Sequence, residues 1–304
     1  MSAPALGIDL GGTKIEGVVL DADGAVRWRE RVATPVGDYR ATLAAIHSLV
    51  QRAEVALGAA HCSVGIGTPG SLTAAGLIKN SNSQCLNGQP LARDLAALLG
   101  RPVRIANDAN CLAVSEATDG AGAGAAVVFA AILGTGVGGG IVAHGRLLTG
   151  PNGLAGEWGH NPLPWADTQE AAMRCYCGRS GCAEAWLSGP AMARDHAQHT
   201  GRAMSARDIA RSAASGDDES AHTLERHAGR VARALAQVIN LLDPDVIVLG
   251  GGLSQIDSLY ARVPALWSAH VFSAGANDPV RTRLVRSRHG DASGVRGAAW
   301  LWRE

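Results

Sequence analysis

Cys175, Cys177 and Cys182 fall within eight residues of one another, and His160 lies fifteen residues before the first of them. Three sulfurs and one imidazole nitrogen make the four-ligand tetrahedral set that structural zinc prefers. With all four places filled, none is left for a reacting water, so such a metal is architectural and would fix the backbone around Glu157 and His160. The alternative, reduced thiols beside a surface histidine, does not account for Cys-x-Cys followed by a glycine-spaced third cysteine. The spacing is not that of a zinc finger, and no DNA-reading helix follows from it.

Two glycine turns carry a different chemistry. Asp9 precedes Gly11-Gly12-Thr13-Lys14, which gathers bare backbone N–H groups, a hydroxyl and an ammonium into a cradle for phosphate oxygens, with Asp9 at its mouth to hold Mg²⁺ through water. A plain tight turn is the alternative. The Walker spacing and its following helix are both missing. Gly134-Thr135-Gly136 repeats the pattern, and the letters at 134, 136 and 139 also spell a dinucleotide fingerprint. That fingerprint opens a helix, and Gly138 to Gly140 followed by Ile-Val-Ala does not start one, which excludes an NAD enzyme. Gly250-Gly251-Gly252 would let a flat nucleotide base approach the backbone.

The acid-base candidate is Asp108 in Asn107-Asp108-Ala-Asn110. At the end of a strand and the start of a helix, its carboxylate could accept a proton from an attacking hydroxyl, or it could cap the helix. The amides of Asn80 to Asn87 both donate and accept, as binding a hydroxyl-rich ligand requires, and they could equally form a solvent loop.

The elements that position these residues are legible from periodicity. Residues 5–10, 15–20 and 25–33 read as an antiparallel meander, its second turn being Asp21-Ala-Asp-Gly24. A helix from Asp38 places Leu43, Ile46, Val50, Ala53 and Leu57 on one face. Strands follow at 63–66 and 103–106, with helices at 91–99 and 109–118. Residues 127–133 and 141–143 are strands on either side of the second glycine turn, Ser220 to Leu242 is a long helix, residues 245–249 and 284–285 are strands, and 294–302 is a helix returning to the first lobe.

The chain has 304 residues, 47% hydrophobic and 18% charged, with formal net charge zero. That is enough for two lobes with their own cores, and it gives no basic field for nucleic acid. Six cysteines, three at metal spacing, favour a reducing compartment. Ala121 to Ala143 is uncharged and long enough to span a bilayer, but its glycines divide it into two short β-branched runs. No membrane segment or leader is read, and the expectation is a cytoplasmic protein.

Together, Asp9-Leu-Gly-Gly-Thr-Lys14, Asn107-Asp108-Ala-Asn110, Gly134-Thr-Gly136, Gly156-Glu-x-Gly-His160 and Cys175-x-Cys177-Gly-x-x-Gly-Cys182-x-Glu184 resemble the ROK family of sugar kinases over nearly the whole chain. Ser81-Asn82-Ser83, Asn161-Pro-Leu-Pro-Trp165 and the segment from Gly290 to Trp302 are similar to its bacterial fructokinases of the manno(fructo)kinase type. The resemblance implies an α/β actin-like ATPase (ribonuclease H-like) fold, two related lobes around a cleft. Residues 1–118 with about 290–304 would form the smaller lobe, and 119–289 the larger one with the zinc site. It implies Asp108 as general base toward the 6-hydroxyl of D-fructose, or of mannose, glucose or an N-acetylhexosamine. Asn82, Asn107, Glu157, His160 and Glu184 would contact the sugar. ATP would lie across Asp9, Gly11, Gly12, Thr13, Lys14, Gly134, Thr135, Gly136, Gly250 and Gly251, with Mg²⁺ near Asp9 and one structural Zn²⁺ on His160, Cys175, Cys177 and Cys182. Family members are commonly homodimers. The family also holds sugar-responsive regulators, which carry a helix-turn-helix domain ahead of the kinase-like part; the few residues before the first strand leave no room for one.

Overall fold

The computed structural model describes residues 4–58, 61–272 and 278–303. Twelve strands occur among them: β1 Ala5–Leu10, β2 Lys14–Leu20, β3 Val26–Ala33, β4 Ser63–Thr68, β5 Ser71–Leu72, β6 Ile78–Lys79, β7 Val103–Asn107, β8 Val127–Leu133, β9 Val137–Ala143, β10 Arg146–Leu147, β11 Val246–Gly250 and β12 Arg283–Arg286. The helices are α1 Tyr39–Ala56, α2 Leu91–Leu99, α3 Asp108–Thr118, α4 Thr168–Ala172, α5 Glu184–Leu187, α6 Gly189–Thr200, α7 Ala206–Ala214, α8 Asp218–Leu242, α9 Ser258–Leu266 and α10 Ser293–Trp300.

The chain divides into two compact units: Met1–Gly124 with Gly140–Ala155 and Arg288–Glu304, and Ala125–Gly139 with Gly156–Ser287. The first unit thus takes in residues 119–124 and 140–155 beside 1–118 and 288–304.

One five-stranded sheet has the order β3-β2-β1-β4-β7, and a second the order β10-β9-β8-β11-β12. In the first, β1 pairs antiparallel with β2 and parallel with β4, and β4 is parallel to β7. In the second, β8 and β12 run parallel to β11. The same plan is written twice, an antiparallel start followed by parallel strands reached through helices, as the actin-like ATPase fold requires. No helix of the described residues is long and apolar enough to cross a membrane.

Local chemistry accounts for the elements. Asp38 caps α1 by accepting the Ala41 N–H at 2.9 Å, and Thr42, Ile46, Leu49, Val50 and Ala53 are buried at helical spacing against Ile8, Ile15 and Ile66 in the core of the first unit. Helix α10 packs on β1, β4 and α3. Its approach is close enough that a Cβ at Gly7, Gly65 or Gly297 would lie within 2.0 Å of the backbone oxygens of Val295, Ala298 and Cys111 respectively. Only glycine permits that contact.

In the second unit α4 is held by a capping box, Asp167 with Glu170. Glu170 is buried and receives Arg230 and Arg233, each at 2.8 Å from Oε1, which ties the residues between His160 and Cys175 to α8. Strand β9 begins at Val137 rather than Ile141, because its glycines are needed for packing. A Cβ at Gly139 would come 2.8 Å from the Trp158 ring, and one at Gly140 would come 2.6 Å from the Ala109 carbonyl oxygen.

Candidate active site

In the first unit the turn after β1 closes through the Gly11 N–H to the Lys14 carbonyl at 3.0 Å, and Thr34 secures it by donating its hydroxyl to the Gly11 carbonyl at 2.8 Å. Gly12, Thr13 and Lys14 are exposed at its tip. A Cβ on Gly12 would stand 3.8 Å from the Ser83 hydroxyl, so the loop bearing exposed Asn82 borders this turn. That loop is held by Asn87, whose side chain accepts from the Ser81 N–H and donates to the Ser81 carbonyl, both at 2.9 Å. Here the polar run of 80–87 divides into holders and an exposed amide.

Asp9, half-buried at the end of β1, has its carboxyl pushed up to about 6 by burial, with the charges of Asp108 and Glu16 adding to the shift. Asp108 stands at the junction of β7 and α3. Its side chain is open to solvent on one side and crowded by protein on the others, and the crowding raises its carboxyl above the ordinary range against the opposing Ala109 N–H. The cap of α3 is Asn107, whose Oδ1 accepts the Asn110 N–H at 2.6 Å.

Beside this junction, and entirely within the first unit, lies a cavity of about 300 Å³. Asn107, Asn110, Ser71, Thr68 and Gly70 line it, with Leu72, Ile78 and Ile105 as apolar wall. The Ser71 Oγ and Asn110 Oδ1 atoms are buried without a hydrogen-bond partner among the described residues. A buried oxygen left unpaired is costly, and a polar ligand would satisfy both. Ser71 ends the loop Thr68-Pro-Gly-Ser71 at the carboxyl end of a strand, a place where the sequence alone points to ligand contacts. Asn110 stands in the same four-residue motif as Asp108, though neither Ser71 nor Asn110 is singled out from sequence as a site residue.

In the second unit His160, Cys175, Cys177 and Cys182 present ligand atoms all within 4.8 Å of one another. The His160 Nδ1 is 3.8 Å from the Cys175 sulfur, and the sulfurs of Cys177 and Cys182 are 3.6 Å apart. The chain is folded to this end. Cys175 closes a turn through its N–H to the Arg179 carbonyl at 2.8 Å, and residues 161–163 pair with 181–183 through the Ala183 N–H to Asn161 and the Leu163 N–H to Gly181. The Arg179 N–H holds the Cys177 thiol down at about 6, while burial pushes Cys182 up to about 12. A soft divalent cation with tetrahedral preference fits this donor set. The other ring nitrogen of His160, Nε2, lies 3.2 Å from the Tyr176 hydroxyl.

Trp158 fixes the segment before His160 by donating its indole N–H to the Gly138 carbonyl at 2.7 Å. Glu184, buried, accepts the Val137 N–H on Oε2 at 2.7 Å and so belongs to the second glycine turn as well as to the cysteine segment. Gly250 ends β11. Gly251 has φ +77°, and a Cβ there would lie 2.5 Å from the Leu133 carbonyl oxygen, so its glycine is explained by the chain itself and not by a ligand. Glu157 sits at the start of the 3₁₀ turn Trp158–His160. Each unit thus assembles its share of the predicted residues: Asp9, the first turn, Asn82, Asn107 and Asp108 in one, and Glu157, His160, Glu184, the second turn and the thiols in the other.

Comparison with known proteins bears on this arrangement. Residues 5–304 match the ROK family. The chain is 44% identical to an N-acetyl-D-glucosamine kinase of Erwinia tasmaniensis, covering 97% of this chain and 98% of that one, and 40% identical to an N-acetyl-D-glucosamine kinase of Pectobacterium atrosepticum, covering 97% of each. Among solved structures, the ROK hexokinase of Thermus thermophilus superposes with a TM-score of 0.84 at 32% identity, covering 97% of this chain and 96% of that one. A ROK family glucokinase from Streptomyces griseus, solved with glucose and AMPPNP, gives 0.76 at 27% identity, covering 98% and 99%. On the match over residues 5–304 and these identities, the chain belongs to the ROK family.

Proposed function

We propose that the protein is an ATP-dependent hexose kinase that transfers the γ-phosphoryl group to the 6-hydroxyl of D-fructose. The observation that carries the kinase reading is the pairing of Asp108, with its raised carboxyl, and an adjoining cavity whose Ser71 and Asn110 oxygens lack partners. A carboxylate whose affinity for a proton is increased is a better acceptor for the sugar hydroxyl proton. The reaction asks little covalent chemistry of the protein beyond this and the alignment of the two substrates.

The sugar is held by Asn82, Asn107, Glu157, His160 and Glu184, joined by Ser71 and Asn110. The nucleotide lies on Gly11 to Lys14 and Gly134 to Gly136, with its base near Gly250 and Gly251. Asp9 fits a magnesium site, because its carboxylate, raised first by burial and further by the charges of Asp108 and Glu16, is one whose charged form a cation would favour. When bound, Mg²⁺ neutralises charge on the phosphates. His160, Cys175, Cys177 and Cys182 hold one zinc, which supplies rigidity and no open position.

Fructose is supported by the fructokinase-like segments at 81–83, 161–165 and 290–302. N-acetyl-D-glucosamine is the second reading, favoured by the relatives that share 44% and 40% identity. The test is ADP release from Mg·ATP with fructose, mannose, glucose, N-acetylglucosamine and N-acetylmannosamine, compared by kcat/KM. Fructose should lead. An N-acetyl sugar in the lead would overturn the substrate and leave Asp108 in place, and turnover with none of them would overturn the kinase.

A further inference from the structure

The second glycine turn is gripped at both ends by one short stretch of chain. The Gly189 N–H donates to the Gly134 carbonyl at 2.8 Å, and the Glu184 carboxylate accepts the Val137 N–H at 2.7 Å. Gly136 lies against the same carboxylate, where a Cβ would come 2.8 Å from Oε2. The turn itself closes from the Gly134 N–H to the Gly136 carbonyl at 3.0 Å. With the N–H groups of 134 and 137 engaged, those of Thr135 and Gly136 have no acceptor among the described residues. Two successive free N–H groups in a fixed turn form a nest for an anionic oxygen.

An acid beside a phosphate site needs a reason, since its charge repels the ligand. The geometry points to one. We propose that Glu184, besides its part in the sugar site, is a positioning residue for the nucleotide: it and the Gly189 N–H clamp the turn so that Thr135 and Gly136 present their N–H groups to a phosphate. This rests on the kinase reading above. The clamp starts two residues after Cys182, so the cysteine segment that would hold the zinc and the phosphate turn are one mechanical piece.

The test is the affinity of the full-length, zinc-loaded protein for Mg·AMPPNP, measured by calorimetry with no sugar present. A residue that served only the sugar would not move this affinity. Glu184→Ala is expected to weaken it about tenfold, the loss of one charge-assisted hydrogen bond. Glu184→Gln keeps an acceptor oxygen and removes the charge, and is expected to stay within about threefold of the parent or to bind more tightly.

Gly189→Pro removes the other donor without touching a side chain of the sugar site. Position 189 opens α6 behind Ser188 at ψ 161°, a first helical position where proline's fixed φ is tolerated. The ring carbon that replaces the N–H would crowd the Gly134 carbonyl, so this variant breaks that end of the clamp outright and keeps the test open if Glu184→Ala fails to fold. It too should weaken nucleotide binding severalfold at full zinc content. If the parent binds Mg·AMPPNP and both Glu184→Ala and Gly189→Pro bind it equally well, the clamp is overturned and the kinase reading stands. If Glu184→Gln falls as far as Glu184→Ala, positioning is overturned in favour of the charge itself. If the parent binds no nucleotide, the kinase reading falls and the clamp with it.

Discussion

Asn107 Oδ1 accepts the Asn110 N–H at 2.6 Å and so caps α3, while Asp108 Oδ1 accepts only the N–H of the next residue, Ala109, at 2.8 Å. Replacing Asp108 should therefore affect chemistry far more than folding. Asp108→Asn is expected to lower kcat by roughly 10²-fold or more, the share that a general base supplies, with sugar affinity changed little and Tm not lowered. Single-turnover kinetics and a melting curve check both halves, and parent-like turnover removes Asp108 from the role.

The cavity residues separate substrate from nucleotide. Ser71→Ala and Asn110→Ala each remove an oxygen that has no partner among the described residues, so neither should disturb the fold. Each is expected to lower kcat/KM for the sugar by about tenfold while KM for ATP stays within about twofold. Steady-state kinetics varying one substrate at a time decides it. Equal losses for both substrates would place the cavity outside the sugar site.

Metal content offers a test that needs no turnover. One zinc per chain is expected by elemental analysis, and Cys182→Ser should lower its affinity at least tenfold, since a buried ligand in the tetrahedral set is lost. Chelation should also lower Tm, because the pairing of 161–163 with 181–183 is built around the cluster. Carefully purified active protein with no zinc would refute the site.

Asp9 makes a prediction in pH. Its folded carboxyl stands at about 6 against an ordinary 3.8, so between those values the folded chain holds a proton that the unfolded chain has released. The stability associated with that proton is fully present below about 4 and is lost as pH rises through 6. Asp9→Asn should thus raise Tm at pH 7.5 without magnesium, by a few degrees for about 1 to 2 kcal/mol, and give no gain at pH 4. Turnover should fall in the same variant. A Tm difference independent of pH would show that the Asp9 charge is not the cause.

Much of this was legible in the residues. The meander from Ala5 to Ala33, the faces of α1 and α8 and the thiol cluster all follow from local spacing, and local spacing is what a sequence displays. The misses share a different cause. The loop of Ser71 is a place for ligand contacts in the sequence, but that its oxygen is unpaired and shares a cavity with Asn110 only the fold shows, and Glu184 joins the second turn only through a partner 47 positions earlier. Gly138 to Gly140 read only as a stretch that starts no helix, and the fold adds that a Cβ at Gly139 or Gly140 would meet Trp158 or Ala109, as one at Gly251 would meet Leu133. A glycine reports that something comes close, and only the long-range fold says what.

The return of α10 has a consequence for synthesis. The first unit is built from Met1–Gly124, Gly140–Ala155 and Arg288–Glu304, and α10, in the last of these, covers β1 and β4 through contacts that only glycines allow. While the ribosome makes the intervening chain, on the order of ten to thirty seconds at about 5–20 residues per second, that face of the nascent sheet has no cover. Completion of the first unit thus waits for α10 to emerge, and chaperone demand should be set by this interval more than by the stability of the finished protein.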